Sequence, residues 1–236
     1  MNTAANITEN IRLVREAIDK AARVSGRLGS DITLVAAAKT NDTASVRAAI
    51  AAGVDAVGEN RVQELVQKKS EGAYIGAPLH FIGHLQTNKL KSVVGECDLI
   101  ESVGSETLLV KIAERARVLG ITQDVLIEVN VGGEESKSGI SAQDIGRICD
   151  VAAANIGVRV LGLMAIPPII GENREKYHYF TDMFKLFVDI SEKKYDNVIM
   201  QHLSMGMSDS YMDAIAAGAT MVRVGSAIFG ARPKVI

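Results

Sequence analysis

Short runs of β-branched and aliphatic residues alternate with helix-patterned segments along nearly the whole chain, and this alternation restricts the fold more than any other feature. The runs fall at 32–38 (ITLVAAA), 55–58, 79–83, 99–103, 124–130, 158–164, 198–205 and 221–225. Helical patterns lie between them near 43–52, 60–70, 86–94, 105–119, 141–155, 173–194 and 208–217. Strands that meet only after an intervening helix must run parallel, because the crossover carries the chain back to its starting end. Gly53, Gly120, Gly157 and Gly218 stand where a helix ends and a strand begins, the position at which glycine enters the left-handed region freely. Eight such units in 236 residues match the size of a (β/α)8 barrel. An open doubly wound sheet is the second reading, weakened because no dinucleotide or phosphate-loop fingerprint follows any strand. The expected architecture is therefore one domain over 1–236, a TIM-type (β/α)8 barrel, with residues 1–28 as a leading helix. Ile7, Ile11, Val14, Ile18 and Ala22 share one face of that helix, Asn6 and Glu9 have the spacing of an N-cap and its N3 partner, and Gly26 stops it.

Charge and composition remove several function classes. With 26 Lys plus Arg against 28 Asp plus Glu, the chain has no basic field to attract nucleic acid. The apolar stretch from Val160 to Ile170 is broken by Pro167 and Pro168 and is far shorter than the roughly 20 residues of a membrane span. Cys97 and Cys149 form neither a disulfide framework nor a zinc motif, which fits a reducing cytoplasm. Among four histidines only His80 and His84 stand close together, and i, i+4 spacing at a strand and turn is no metal signature.

In a barrel the C-terminal ends of the strands converge on one site. Reading past each run gives Lys39, Glu59, Asn60, His84, Ser102, Asn130, Met164, Ser204 and Arg223. A lysine leaving the first strand into a barrel mouth is partly desolvated, which favours the neutral amine that imine chemistry needs, although a lysine extending to the rim fits the same position. Between strand seven and the next helix, Ser204, Gly206 and Ser208 offer small residues and hydrogen-bond donors, and strand eight ends in Arg223, Val224, Gly225 and Ser226. Loops after strands seven and eight commonly bind phosphate in barrels. Arg223 alternates with Val222 and Val224, which directs it into the barrel toward a ligand acceptor or toward Glu59, Glu101 or Glu128. Asn60 with Gln63 also fits an N-cap, and His84, Gln86, Asn88 and Lys89 fit loop and cap roles.

Seven segments, in order, carry a family resemblance: AAAKT around Lys39, VGENRVQE at 57–64, HFIGHLQTNK at 80–89, ESKSGI at 135–140, GLMAIP at 162–167, LSMGMS at 203–208 and MVRVGSAIFGAR at 221–232. Over residues 30–232 the chain resembles the pyridoxal phosphate homeostasis proteins, relatives of the N-terminal barrel of alanine racemase. The resemblance implies that Lys39 holds pyridoxal 5′-phosphate (PLP) as an internal aldimine. It places Ser204, Gly206, Gly225 and Ser226 around the phosphate, Arg223 at the pyridine nitrogen, and Asn60 and Met164 among the cofactor-binding residues. Lys137 is similar to the family's second lysine near the mouth. The chain departs from the pattern at Ala38, Ser210 and Ser226, where Ser, an acid and Thr are common; the second departure puts any charge role near the phosphate loop in doubt.

The resulting expectation is a monomeric cytoplasmic PLP carrier, without robust catalysis, that buffers the cofactor or delivers it to apo PLP-dependent enzymes. The alternative is a PLP-dependent amino-acid racemase of low activity. Racemisation needs an acid/base on each face of the substrate carbon, the second usually a Tyr from an added β domain. The chain ends eleven residues after Gly225, so no such domain is expected. A Schiff-base aldolase acting on a sugar phosphate is a third, weaker reading.

Overall fold

A computed structural model describes residues 4–134, 138–167 and 173–230. Eight parallel strands close into a barrel in sequence order: β1 (Thr33–Ala37), β2 (Ala56–Glu59), β3 (Leu79–Phe81), β4 (Leu99–Val103), β5 (Gln123–Val129), β6 (Val158–Ala165), β7 (Val198–Ser204) and β8 (Met221–Val224). The barrel shuts where β8 pairs with β1, Val35 lying opposite Arg223. Side chains alternate between two environments. Val35, Ala56, Leu99, Leu126, Met164 and Met221 pack together inside the barrel. Leu34, Ala36, Val57, Ile100, Val125, Leu163 and Val222 face outward into the layer shared with the helices.

The helices are α1 (Ala4–Val24), α2 (Thr43–Ala51), α3 (Val62–Ser70), α4 (Glu106–Val118), α5 (Ile145–Ala153), α6 (Asn173–Ser191), α7 (Tyr211–Ala216) and α8 (Ser226–Phe229). Among the described residues, the helix that follows β8 is the four-residue α8, too short to cover its share of the sheet. The leading helix fills that sector, packing against α7, α2 and α8. Ile7, Ile11, Val14 and Ile18 are its buried stripe, and each contributes about 2 kcal/mol of transfer free energy before the cost of ordering the chain. Directional contacts fix the helix in place. Asn10 Nδ2 donates to the Ile228 carbonyl at 2.8 Å, Arg15 pairs with Asp55 at 2.8 Å, and Arg27 Nη1 donates to the Ala219 carbonyl at 2.8 Å.

Several local expectations change. Because α1 begins at Ala4, Asn6 lies within its first turn instead of capping it, and Glu9 pairs with Arg12 at 2.7 Å. Segment 86–94 forms a 3₁₀ helix at Thr87–Ser92, a polar stretch with one buried residue, Leu90, and too little apolar face to hold an α-helix. A 3₁₀ turn at Ala142–Asp144 precedes α5. Gly53, Gly120 and Gly218 do adopt positive φ. Gly157 does not; it is small because a Cβ there would lie 2.2 Å from the Ala113 carbonyl oxygen of α4.

Candidate cofactor site

Positions 35, 37 and 39 share the inner face of β1 and its extension, so the strand carries Lys39 to the barrel mouth. There Lys39, half-buried, lines a cavity of about 720 Å³ together with Ala37, Ser208, Arg223, Gly225 and Ser226, a volume suited to a small-molecule ligand. The backbone around Lys39 is held from both sides. Thr40 has φ 65°, a left-handed conformation that a β-branched residue adopts at a cost of about 1–3 kcal/mol. Its amide donates to Glu64 Oε2 at 2.8 Å, and its hydroxyl donates to the Lys39 carbonyl at 2.6 Å. One residue earlier, buried Lys68 of α3 donates to the Ala38 carbonyl at 3.0 Å and to Glu59 Oε1 at 2.7 Å. Tyr74 Oη donates to the same Glu59 oxygen at 3.1 Å. Burial pushes the Glu59 carboxyl above its ordinary pKa despite the Lys68 bond and charge. Lys68 was not singled out from sequence; the Glu64 and Lys68 spacing is its signal, and that spacing usually marks an exposed pair.

On the opposite wall, Gly225 begins the last turn. A Cβ at this position would come within 3.3 Å of the Ala37 carbonyl oxygen, so a side chain would crowd the floor between β8 and β1. Ser208 reaches across from the β7 loop, its Oγ accepting from the Gly225 amide at 3.2 Å and the Ala227 amide at 3.3 Å. It thereby ties the two loops together instead of capping α7, which starts at Tyr211 after Ser210. Ser226 is exposed at the cavity wall as the first residue of α8. Gly206, with φ +93°, turns the chain out of β7, where a Cβ would lie 2.6 Å from the Ala214 Cβ. Its role is to let the loop pack on α7.

Arg223 enters the barrel, as its alternation requires, and anchors a chain of buried polar groups. Its Nη1 donates to Ser204 Oγ at 2.6 Å and its Nη2 to the Ala165 carbonyl at 2.9 Å. Ser204 Oγ in turn donates to Glu101 Oε2 at 2.6 Å, and Glu101 Oε1 lies 2.8 Å from His80 Nδ1. Arg223 and Glu101 themselves approach to 3.7 Å. Burial alone would raise the Glu101 pKa; the His80 bond and charge, the Arg223 charge and the Ser204 hydroxyl outweigh it and hold the carboxyl below its ordinary value. Burial pulls the Arg223 pKa down, opposed by Glu101 and Glu128, and a guanidinium starts high enough to remain charged. Of the three carboxylates the sequence offered as partners, Glu101 is the one within ion-pair distance.

The structure thus brings Lys39, Arg223, Gly225 and Ser226 to one cavity and sets the other anticipated residues around it. Ser204 is fully buried, holding Arg223. Met164 is fully buried in the barrel interior. Asn60 is not the cap of α3, whose first residue is Val62 after Arg61; its Oδ1 is buried without a hydrogen-bond partner among the described residues. His80 points inward to Glu101. Lys137 lies outside the described residues. Among the described residues no group of His, Cys, Asp or Glu is arranged to hold a metal, and no helix is long and apolar enough to cross a membrane. Burial pushes the Cys97 and Cys149 thiols up, to about 12 and about 11, which leaves both unreactive.

Residues 3–233 match the alanine racemase N-terminal domain family. A pyridoxal phosphate homeostasis protein of Aquifex aeolicus is 40% identical over 96% of this chain and 99% of its own length. One from Escherichia coli K12 is 36% identical over 96% of this chain and 97% of its own. Among solved structures, PipY of Synechococcus elongatus with PLP bound superposes with a TM-score of 0.82 at 28% identity, covering 95% of this chain and 100% of PipY. Alanine racemase of Clostridium difficile shares the fold, with a TM-score of 0.70 at 17% identity over 96% of this chain and 61% of the racemase. By sequence over nearly its full length and by the closed barrel, the chain belongs to the pyridoxal phosphate homeostasis protein family, on the fold of the alanine racemase N-terminal domain.

Proposed function

We propose that the protein holds PLP as a Schiff base on Lys39 and buffers it or delivers it to apo-enzymes, without robust catalysis of its own. The convergence of Lys39, Arg223 and the start of α8 on one cavity carries this reading. PLP presents an aldehyde, a pyridine nitrogen and a phosphate, and these three elements offer an amine, a cationic donor and a glycine-opened turn with a hydroxyl. The names of the relatives and the PLP bound in PipY support the same assignment.

When bound, the cofactor supplies a carbonyl that condenses with amines and a ring that can accept electron density. The protein's own groups restrain the second property. Arg223 keeps its proton, so it donates a hydrogen bond without protonating a ring nitrogen, and its position is set by Ser204 and the Ala165 carbonyl. Among the tyrosines with described side chains, Tyr74, Tyr179, Tyr195 and Tyr211, none lines the cavity, so none stands ready as a proton donor opposite Lys39. On this reading the whole chain works as one barrel unit, a monomer in the cytoplasm, with PLP passing between Lys39 and recipient enzymes.

Visible absorption with added PLP, borohydride reduction and peptide mapping test the attachment. The expected result is a yellow protein whose reduced label maps to Lys39, with Lys39→Ala folded and unlabelled. A colourless protein, or label on another lysine, overturns the assignment. Racemisation of alanine and serine at rates typical of dedicated enzymes would overturn the carrier role while leaving the cofactor site intact.

A further inference from the structure

A second cavity, of about 370 Å³, opens at the same end of the barrel over β3, β4 and β5. His84, Gln86, Ser102, Gly104, Glu128 and Ser138 contribute to its walls. Two of these side chains are buried with few partners among the described residues, Arg223 and His84 acting on Glu128 by charge alone. Ser102, 3% exposed, has its Oγ buried with no hydrogen-bond partner among the described residues. Glu128, 6% exposed, accepts one side-chain bond, from Ser138 Oγ at 3.2 Å, and no lysine or arginine lies within ion-pair distance among the described residues.

The strand geometry aims both groups at the cavity. Ile100 and Val103 of β4 both pack in the outer core, which strict alternation forbids for residues three apart. The register shift between them accommodates the extra residue, and such irregularities re-aim side chains at the ends of strands. Ser102 is the residue so turned. Gly104 keeps the opening clear, since a Cβ there would lie 3.3 Å from Glu128 Oε2 and 3.0 Å from the Gly139 amide nitrogen.

We infer that this cavity is a second binding site, for a small ligand carrying a primary ammonium group and a neighbouring hydroxyl, the ammonium donating to Glu128 and the hydroxyl pairing with Ser102. A buried carboxylate with one weak donor favours a cation with several N–H bonds to give, and an unpartnered hydroxyl favours a group that both donates and accepts. The imidazole of exposed His84 borders the entrance.

The test is an amide NMR titration of the full chain, stripped of any aldehyde so that amines cannot condense, with ethanolammonium chloride against matched sodium chloride. Saturable shifts at Ser102, Gly104 and Ser138 are expected, weakened at least tenfold by Glu128→Gln and about threefold or more by Ser102→Ala. Ethylene glycol, the neutral counterpart, is expected to give no saturable shift. Non-saturating shifts, equal binding of ethylene glycol, or unchanged affinity in Glu128→Gln overturn the inference. Should Glu128→Gln not fold, unchanged affinity in Ser102→Ala overturns it alone. Because the titration contains no PLP, its failure leaves the Lys39 reading untouched, and failure of PLP labelling leaves this one untouched.

Discussion

The two halves of the barrel mouth treat buried charge differently. Beside β1 and β8, the cation Arg223 is matched inside the barrel by Ser204, a carbonyl and Glu101, with His80 completing the chain. Beside β4 and β5, among the described residues, the anion Glu128 has one hydroxyl donor, and Ser102 of the same cavity has no hydrogen-bond partner. The Arg223 network, which crosses the barrel to Glu101 of β4 and His80 of β3, is matched by direct bonds, whereas Glu128 makes no ion pair with a lysine or arginine among the described residues. Polar groups therefore stabilise the native state in one half and strain it in the other, although both sit on the ends of adjacent strands.

Substitutions that remove one group from each half sharpen this contrast. Arg223→Ala leaves Glu101 buried without its cation, and a loss of about 3–5 kcal/mol in unfolding free energy is expected by urea denaturation. Ser204→Ala breaks the link between Glu101 and Arg223 and is expected to cost about 1–2 kcal/mol, with weaker PLP binding as a second readout because Arg223 loses its positioning partner. Glu128→Gln is expected to act in the opposite sense and more weakly, raising stability at neutral pH because it removes a carboxylate whose charged form burial disfavours.

That gain carries a pH signature. Burial raises the Glu128 carboxyl, so between the ordinary carboxylate value and the higher native one the folded protein binds more protons than the unfolded chain. Stability from this group is complete below the ordinary value and declines as pH rises through the native one. The advantage of Glu128→Gln is accordingly expected to grow on going from acid to neutral pH. Glu101 runs the other way: its depressed value gives stability present above the ordinary carboxylate pKa and lost as pH falls through the native one. Equal costs for Arg223→Ala and Glu128→Gln, or a pH-independent Glu128→Gln effect, would break the comparison.

Alternation of strand and helix made the barrel legible, because each period is set by local side-chain spacing that tertiary packing reinforces. The inward direction of Arg223 was readable for the same reason, strand parity being a local property. Which of Glu59, Glu101 and Glu128 Arg223 would meet inside was not, since Glu101 and its link Ser204 come from strands over 100 residues apart. The cap reading of Asn60 fails because cap-like spacing is common in loops, whereas the actual helix start is decided by packing. Lys68 escaped notice because burial of a helix lysine depends on what the neighbouring strand carries, here Glu59 and the Ala38 carbonyl. Ser102 was legible as a strand-end residue, but its turn toward a cavity comes from a register shift that no local pattern announces.

The placement of α1 in the sector beside α8 also has a kinetic side. Its contacts with α7, and the Arg27 bond to the Ala219 carbonyl, join residues nearly 200 positions apart, as does the β1–β8 seam. During synthesis α2 can cover part of the apolar stripe of α1 early, but its partners α7 and α8 follow only near the far end of the barrel. Non-local closure of this kind delays completion and leaves intermediates exposed to aggregation. The last event in folding is therefore expected to be the docking of α1 against α7 and α8.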